Sequence, residues 1–209
     1  MMVRRLLILL FGWIMGSALA LSQNLPSTMV KPESVYFPLN EVRLLDSPFL
    51  TLQQKGKEYL LWLNPDSLLH FYRVEAGLPP KADAYAGWES QNVWGAGPLR
   101  GGFLGFYLSS VSMMHQSTGD KELLKRLKYV LKELKLCQDA GKDGFLLGIK
   151  DGRMLFKEVA SGKIKTNNPT VNGAWAPVYL INKMLLGLSA AYTPVSYTHL
   201  RAHETDSYL

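Results

Sequence analysis

Residues 81–102 carry Tyr85, Trp88 and Trp94 among Gly87, Gly95, Gly97, Gly101 and Gly102, with Glu89 beside Trp88. So long a glycine- and aromatic-rich stretch costs more chain entropy than a solvent-exposed connector need incur, so it is expected to line a site. A planar ring stacks on flat apolar faces such as that of a sugar, and a neighbouring carboxylate accepts hydroxyl protons. A core position for Trp88 and a loop-capping role for Glu89 fit the sequence equally well. Arg100 offers a bidentate fork to a carboxylate, whether the protein's own or a ligand's. A second group of polar and aromatic residues, Asn172, Trp175, Tyr179, Asn182 and Lys183, surrounds the start of the last helical pattern and joins the candidates for ligand contact. Glu89, Asp83 and Glu158 are carboxylates whose separation in space the sequence leaves open. His70 and His115 sit in helical patterns, where core or surface roles are expected, and Cys137 reads as a small buried apolar side chain.

These candidates need elements to hold them. Pro26, Pro32, Pro38 and Pro48 keep residues 21–47 from forming a long helix, so an extended segment is expected there, pinned by Val35-Tyr36-Phe37 and by Val42 to Leu45. Ser47-Pro48 is a helix start, and Phe49, Leu52, Tyr59, Leu60 and Leu63 then recur at helical spacing up to Asn64-Pro65. A short helix over 66–75 follows. Phe103 to His115 and Leu123 to Cys137 give two amphipathic helices separated only by residues 117–120, which makes them antiparallel neighbours. The charged residues of the second, Lys121, Lys125, Arg126, Lys128, Lys132, Lys135, Glu122 and Glu133, are expected on a solvated face. Residues 141–172 read as irregular, with extended pieces at 145–147 and 154–156. A last helix begins near Pro177, with Val178, Ile181, Leu185, Leu188 and Tyr192 as its apolar face.

The whole chain has 209 residues, 47% hydrophobic and 19% charged, enough for one buried core. Lys and Arg outnumber Asp and Glu by 23 to 17, but they are scattered, so nucleic acid is not an expected partner. A single cysteine excludes an internal disulfide and any four-thiolate metal site within these residues. Residues 1–20 have the basic start, short apolar run and small-x-small end of a secretory signal peptide, which implies a periplasmic or extracellular protein with no membrane attachment after cleavage. Residues 194–209 lose the helical period and resemble translated adapter sequence. They read as a non-native tail, and the four-residue spacing of His199 and His203 within it is not taken as a metal site. Residues 21–193 are then expected to be the N-terminal piece of a longer protein.

Taken in order, Trp88-Glu89, the run Leu99 to Ser110, Ser117 to Asp120, Glu133-Leu134 with Cys137-Gln138, Asp143 to Leu146, and Asn172 to Tyr179 resemble the N-terminal part of glycoside hydrolase family 127, the β-L-arabinofuranosidase-like enzymes. The resemblance covers roughly residues 34–192. It implies an all-α fold, an incomplete (α/α)6 barrel over residues 48–193, and retaining hydrolysis of a terminal arabinofuranoside from plant-type glycans. It implies zinc in the intact enzyme, bound to a nucleophilic cysteine downstream of this region, with no catalytic residue and no metal held here. The partner it implies is an arabinofuranoside-containing carbohydrate. The family's Gly-His-x-x-Gly-His-Tyr-Leu-Ser pattern meets Gly102 and Phe106 in place of its two histidines, and a third histidine is replaced by Asn182. These departures leave open a second reading, a helical-hairpin carbohydrate-binding or scaffold protein without catalysis.

Overall fold

Six helices and one small sheet make up the computed structural model, which describes residues 37–92 and 97–195. The signal peptide, most of the N-terminal segment, Trp94, and the histidines at 199 and 203 lie outside the described residues. Ser47 and Pro48 start α1 (Pro48–Trp62) as the sequence requires: the Ser47 hydroxyl accepts from the amide of Leu50 at 3.3 Å, and proline takes the first position, where no amide donor is needed. Asn64 does the same for α2 (Pro65–Glu75), which ends at Ala76 before Gly77 at φ 74°. Between α3 (Gly102–Thr118) and α4 (Lys121–Gly141), Gly119 takes the left-handed cap of the first helix. The Asp120 carboxylate then accepts from the first amides of the second, at 2.9 and 3.3 Å.

The main core forms where α2, α3, α4 and α6 (Pro177–Val195) meet. Leu123, Leu127, Val130, Leu131 and Leu134 of α4 are fully buried against Leu104, Leu108 and Val111 of α3, each removing roughly 2 kcal/mol of apolar surface from water. Cys137 lies at the end of that stripe as the expected small buried side chain. The backbones of α3 and α6 touch at Gly105 and Gly187. A Cβ on Gly187 would stand 3.0 Å from the Gly105 Cα, and one on Gly105 would run into the Lys183 carbonyl.

Several expectations fail for identifiable reasons. Arg126 and Glu133 are not on a solvated face. Arg126 reaches back to donate to the carbonyls of Leu61, at 2.6 Å, and Leu63, closing the end of α1. Glu133 is buried and pairs with Arg73 of α2 at 2.5 Å and with Lys81 at 2.7 Å, while Arg73 also donates to the Pro79 carbonyl. Long side chains let these two charges at the helix flank turn inward, Arg126 onto backbone carbonyls and Glu133 onto Arg73 and Lys81. On α1 only Leu60 is buried; Phe49, Leu52, Tyr59 and Trp62 face outward, with Tyr59 stacked on Trp62. On α6 the buried face is Leu180, Met184, Gly187 and Ala191, while Val178 is 67% exposed and Leu185 and Tyr192 are also exposed. That helix is apolar nearly all round, and the close Gly105–Gly187 approach selects which side turns in. Phe37, Val42, Leu44 and Leu45 do not pin their segment; all four are exposed, and the described part of it holds one 3-10 turn (Leu39–Glu41).

Residues 154–156 are helical, not extended. They belong to α5 (Gly152–Ala160), which buries Gly152 and Leu155. Residues 145–147 likewise form no strand. Three two-residue strands follow: β1 (Thr166–Asn167), β2 (Thr170–Val171) and β3 (Ala174–Trp175), antiparallel in the order β1-β2-β3. Val171 pairs with Ala174 around Asn172-Gly173, both at positive φ (46° and 83°), the conformation that a two-residue hairpin turn needs. Among the described residues no helix is long and apolar enough to cross a membrane.

Candidate functional site

A second, smaller core holds Leu99, Leu147, Ile149, Trp175 and Leu180, and the last three line a cleft of about 440 Å³. Three elements close around it: the end of the glycine-rich loop with Pro98 and Arg100, the start of α5 with Lys150, Asp151 and Met154, and the β2-β3 turn with Asn172 and Trp175. Of the eight residues that the sequence singles out, the fold brings Arg100, Asn172 and Trp175 to this cleft. Trp88 stands beside it, its ring centroid 6.0 Å from that of Trp175.

Arg100 lies with its guanidinium over the Phe71 ring, 5.2 Å from the centroid, and its Nε is buried with no hydrogen-bond partner among the described residues. Its charge also acts on Glu75, whose carboxyl is nevertheless held above the usual carboxylate range by burial. Asn172 has most of its hydrogen-bonding capacity in use. Its Oδ1 accepts from the Lys165 amide at 2.7 Å, and its Nδ2 donates to the Lys163 carbonyl at 2.9 Å and to Glu158 Oε2 at 2.8 Å. Asn172 therefore shapes the cleft wall and holds Glu158, a carboxylate lining the cleft, in place. Asp83, the third carboxylate considered, is exposed and not among the cleft residues.

Glu89 takes a different place from an exposed ligand-binding carboxylate. It is wholly buried, and its Oε1 accepts from the Phe103 amide at 2.9 Å, with the amides of Gly101 and Gly102 also directed at the carboxylate. Burial pushes its pKa up to about 7, with those three amides pulling the other way. The carboxylate serves as the cap of α3, a position where Gly101 has no side chain to offer. A Cβ on Gly101, at φ 76°, would stand 2.9 Å from the Tyr72 ring and 3.1 Å from the Gly148 Cα. The Tyr72 hydroxyl donates to the Gly101 carbonyl at 2.9 Å, fixing the same point from the other side.

Tyr179 and Lys183 form a separate cluster on α6 with Phe106 of α3. The Lys183 ammonium is 4.9 Å from the Tyr179 ring centroid and 5.1 Å from that of Phe106, and Asn182 beside it is exposed. Gly102, the other position where the family pattern has histidine, is buried against Leu180, which would lie 3.0 Å from a Cβ there. Close packing thus takes the place of a histidine at Gly102, and ring contacts take it at Phe106. His70 and His115 are structural: each has Nδ1 2.8 Å from a backbone carbonyl, of Ala82 and of Asp120.

Sequence reasoning missed Lys150, Asp151 and Met154 as cleft residues because it read residues 154–156 as an extended piece and so missed α5. Asn172-Gly173 is a hairpin signal that could have placed Trp175 on a strand. The described residues do not offer a donor set that fits zinc. The Cys137 thiol is buried, which pushes its pKa up to about 11, and no three His, Cys, Asp or Glu side chains converge among the described residues. Residues 41–202, more than three quarters of the chain, match the family model described as β-L-arabinofuranosidase, GH127 catalytic domain. Among curated proteins, none matches the chain.

Proposed function

The chain belongs to the GH127 β-L-arabinofuranosidase catalytic-domain family, and from that premise we propose that it is part of a secreted glycoside hydrolase acting on arabinofuranosides of plant-type glycans. The family match is the observation that carries the reading, and it makes a carbohydrate the substrate. The cleft supports it: the rings of Trp175 and Trp88 supply a surface on which a sugar face can stack, and Arg100 lines the same cleft. The nucleophile lies outside the described residues in this proposal. A thiol with a pKa near 11 is almost wholly protonated at neutral pH, and Cys137 is enclosed by the apolar side chains of the main core. No step is routed through zinc.

The test uses the full chain. Methyl β-L-arabinofuranoside is expected to bind with a change in tryptophan fluorescence, Trp175→Ala to weaken that binding at least about tenfold, and nitrophenyl arabinofuranoside not to be turned over. Turnover by this chain would overturn the placement of the nucleophile, and absence of any sugar binding would overturn the assignment of the cleft. Gly102 and Phe106 favour a second reading, carbohydrate binding without hydrolysis, because neither offers a hydrogen bond to a hydroxyl. The protein encoded by the uninterrupted reading frame separates the two: hydrolysis supports the first reading, binding without hydrolysis the second.

A further inference from the structure

Glu89 is the one acidic side chain that the glycine-rich loop sends wholly into the interior, and in the chain it lies between Trp88, which stands beside the cleft, and Arg100, which lines it. On one side, Trp88 is its immediate neighbour. The Trp88 carbonyl accepts from the Leu99 amide at 2.6 Å, and the Trp88 ring meets that of Trp175. On the other side, Arg100 directly precedes Gly101 to Phe103, whose amides converge on the Glu89 carboxylate. The carboxylate therefore ties residue 88 to the first turn of α3. No other described side chain caps α3. Oε1 holds the amide of Phe103, while Oε2 is buried without a hydrogen-bond partner among the described residues, so the tie rests on backbone amides.

We propose that Glu89 is a positioning residue: its buried carboxylate, bound to the first amides of α3, sets the placement of Trp88 against Trp175 and of Arg100 at the cleft. The amides at a helix start favour negative charge, and the described residues of the loop form no helix or strand of their own to hold the two tryptophans together. The surrounding charge agrees with this placement: the Tyr72 hydroxyl, packed on the same turn, is pushed well above its ordinary range by burial first and by Glu89 second. The bearing of this residue on sugar binding rests on the function proposed above; its effect on the tryptophan pair does not.

The experiment reads the pair without sugar. Near-ultraviolet circular dichroism is recorded for proteins carrying Trp88 or Trp88→Phe, and the difference reports the Trp88–Trp175 arrangement. Glu89→Ala is expected to abolish most of that difference while far-ultraviolet helix content is retained. Glu89→Gln, which keeps an acceptor oxygen in the same place, is expected to restore most of it. An unchanged difference in Glu89→Ala would overturn the proposal, as would a loss that only follows helix content. Where Glu89→Ala does not fold, Glu89→Asp gives the second measurement. The shorter side chain is expected to reduce the pair signal with the helices intact, and a full signal in that variant would also overturn the proposal. Titration of wild type with methyl β-L-arabinofuranoside is run alongside: no binding there defeats the function proposal and leaves the positioning result standing.

Discussion

Removing the Glu133 carboxylate should unfold this protein more readily than any exposed substitution on α4. The Arg73 and Glu133 side chains are only 9% and 5% exposed, and their contact at 2.5 Å joins α2 to α4. Glu133→Ala leaves the Arg73 guanidinium buried with its Pro79 carbonyl contact but without a counter-charge, and also frees Lys81. Breaking one side of a buried pair costs about 3–5 kcal/mol, because the remaining charge has been stripped of water without compensation. The pair itself contributes far less, since both desolvation costs offset its attraction. The double variant Arg73→Met with Glu133→Leu should therefore regain most of the loss and lie within about 2 kcal/mol of wild type. Urea unfolding monitored by helix signal measures all three proteins, provided the slope with denaturant stays constant. A cost below about 1 kcal/mol for Glu133→Ala, or a double variant worse than the single, would refute the reasoning.

Glu89 should make stability depend on pH. Its folded pKa of about 7 lies above the ordinary 4.5, so the folded state takes up the proton first; the stabilisation is present below pH 4.5 and is lost as pH rises through 7. The shift corresponds to about 3 kcal/mol, so the stability of wild type relative to Glu89→Gln should fall by about that amount between pH 4 and 8; a constant difference counts against a buried carboxyl. Gly105→Ala should cost at least about 3 kcal/mol by thermal unfolding, because the added methyl meets backbone of α6 that no rotamer change can move. Asp120→Ala should cost about 1–2 kcal/mol and Asp120→Asn much less, since asparagine keeps the acceptor for the Glu122 and Leu123 amides.

Helix starts and stops were legible wherever the residue at the boundary does the capping itself, as Ser47, Asn64 and Gly119 do. The stripe of α4 was legible because its apolar residues alternate with charge. α6 defeats the same rule: Val178, Leu180, Met184, Leu185 and Leu186 surround the helix, so periodicity offers two faces and the glycine contact decides between them. α5 depends on partners remote in sequence. Arg153 donates to Asp143 at 2.7 Å and to the Glu75 carbonyl at 2.9 Å while lying over the Phe145 ring, and no local cap marks the helix start. At the site, residue type singled out Arg100 and, in a separate stretch, Asn172 and Trp175, and the fold brings the three to one cleft. Tyr179 and Lys183 look equivalent in sequence, yet they lie along α6 and pair with Phe106 instead. That Glu89 turns inward could not be read locally, because its partners are amides twelve or more residues away.

The contact between Gly105 and Gly187 also limits how the two helices can move. With backbone against backbone, α6 cannot slide along α3 without forcing one main chain through the carbonyls of the other; the motion left to it is a rocking about that point. Gly187 stands seven residues beyond Leu180, a lever arm of about 10 Å along the axis. A tilt of about 5° then shifts the Trp175 end of α6 by about 1 Å and the Ala191 end in the opposite direction. The width of the cleft and the packing around Ala191 are therefore coupled as the two ends of a balance.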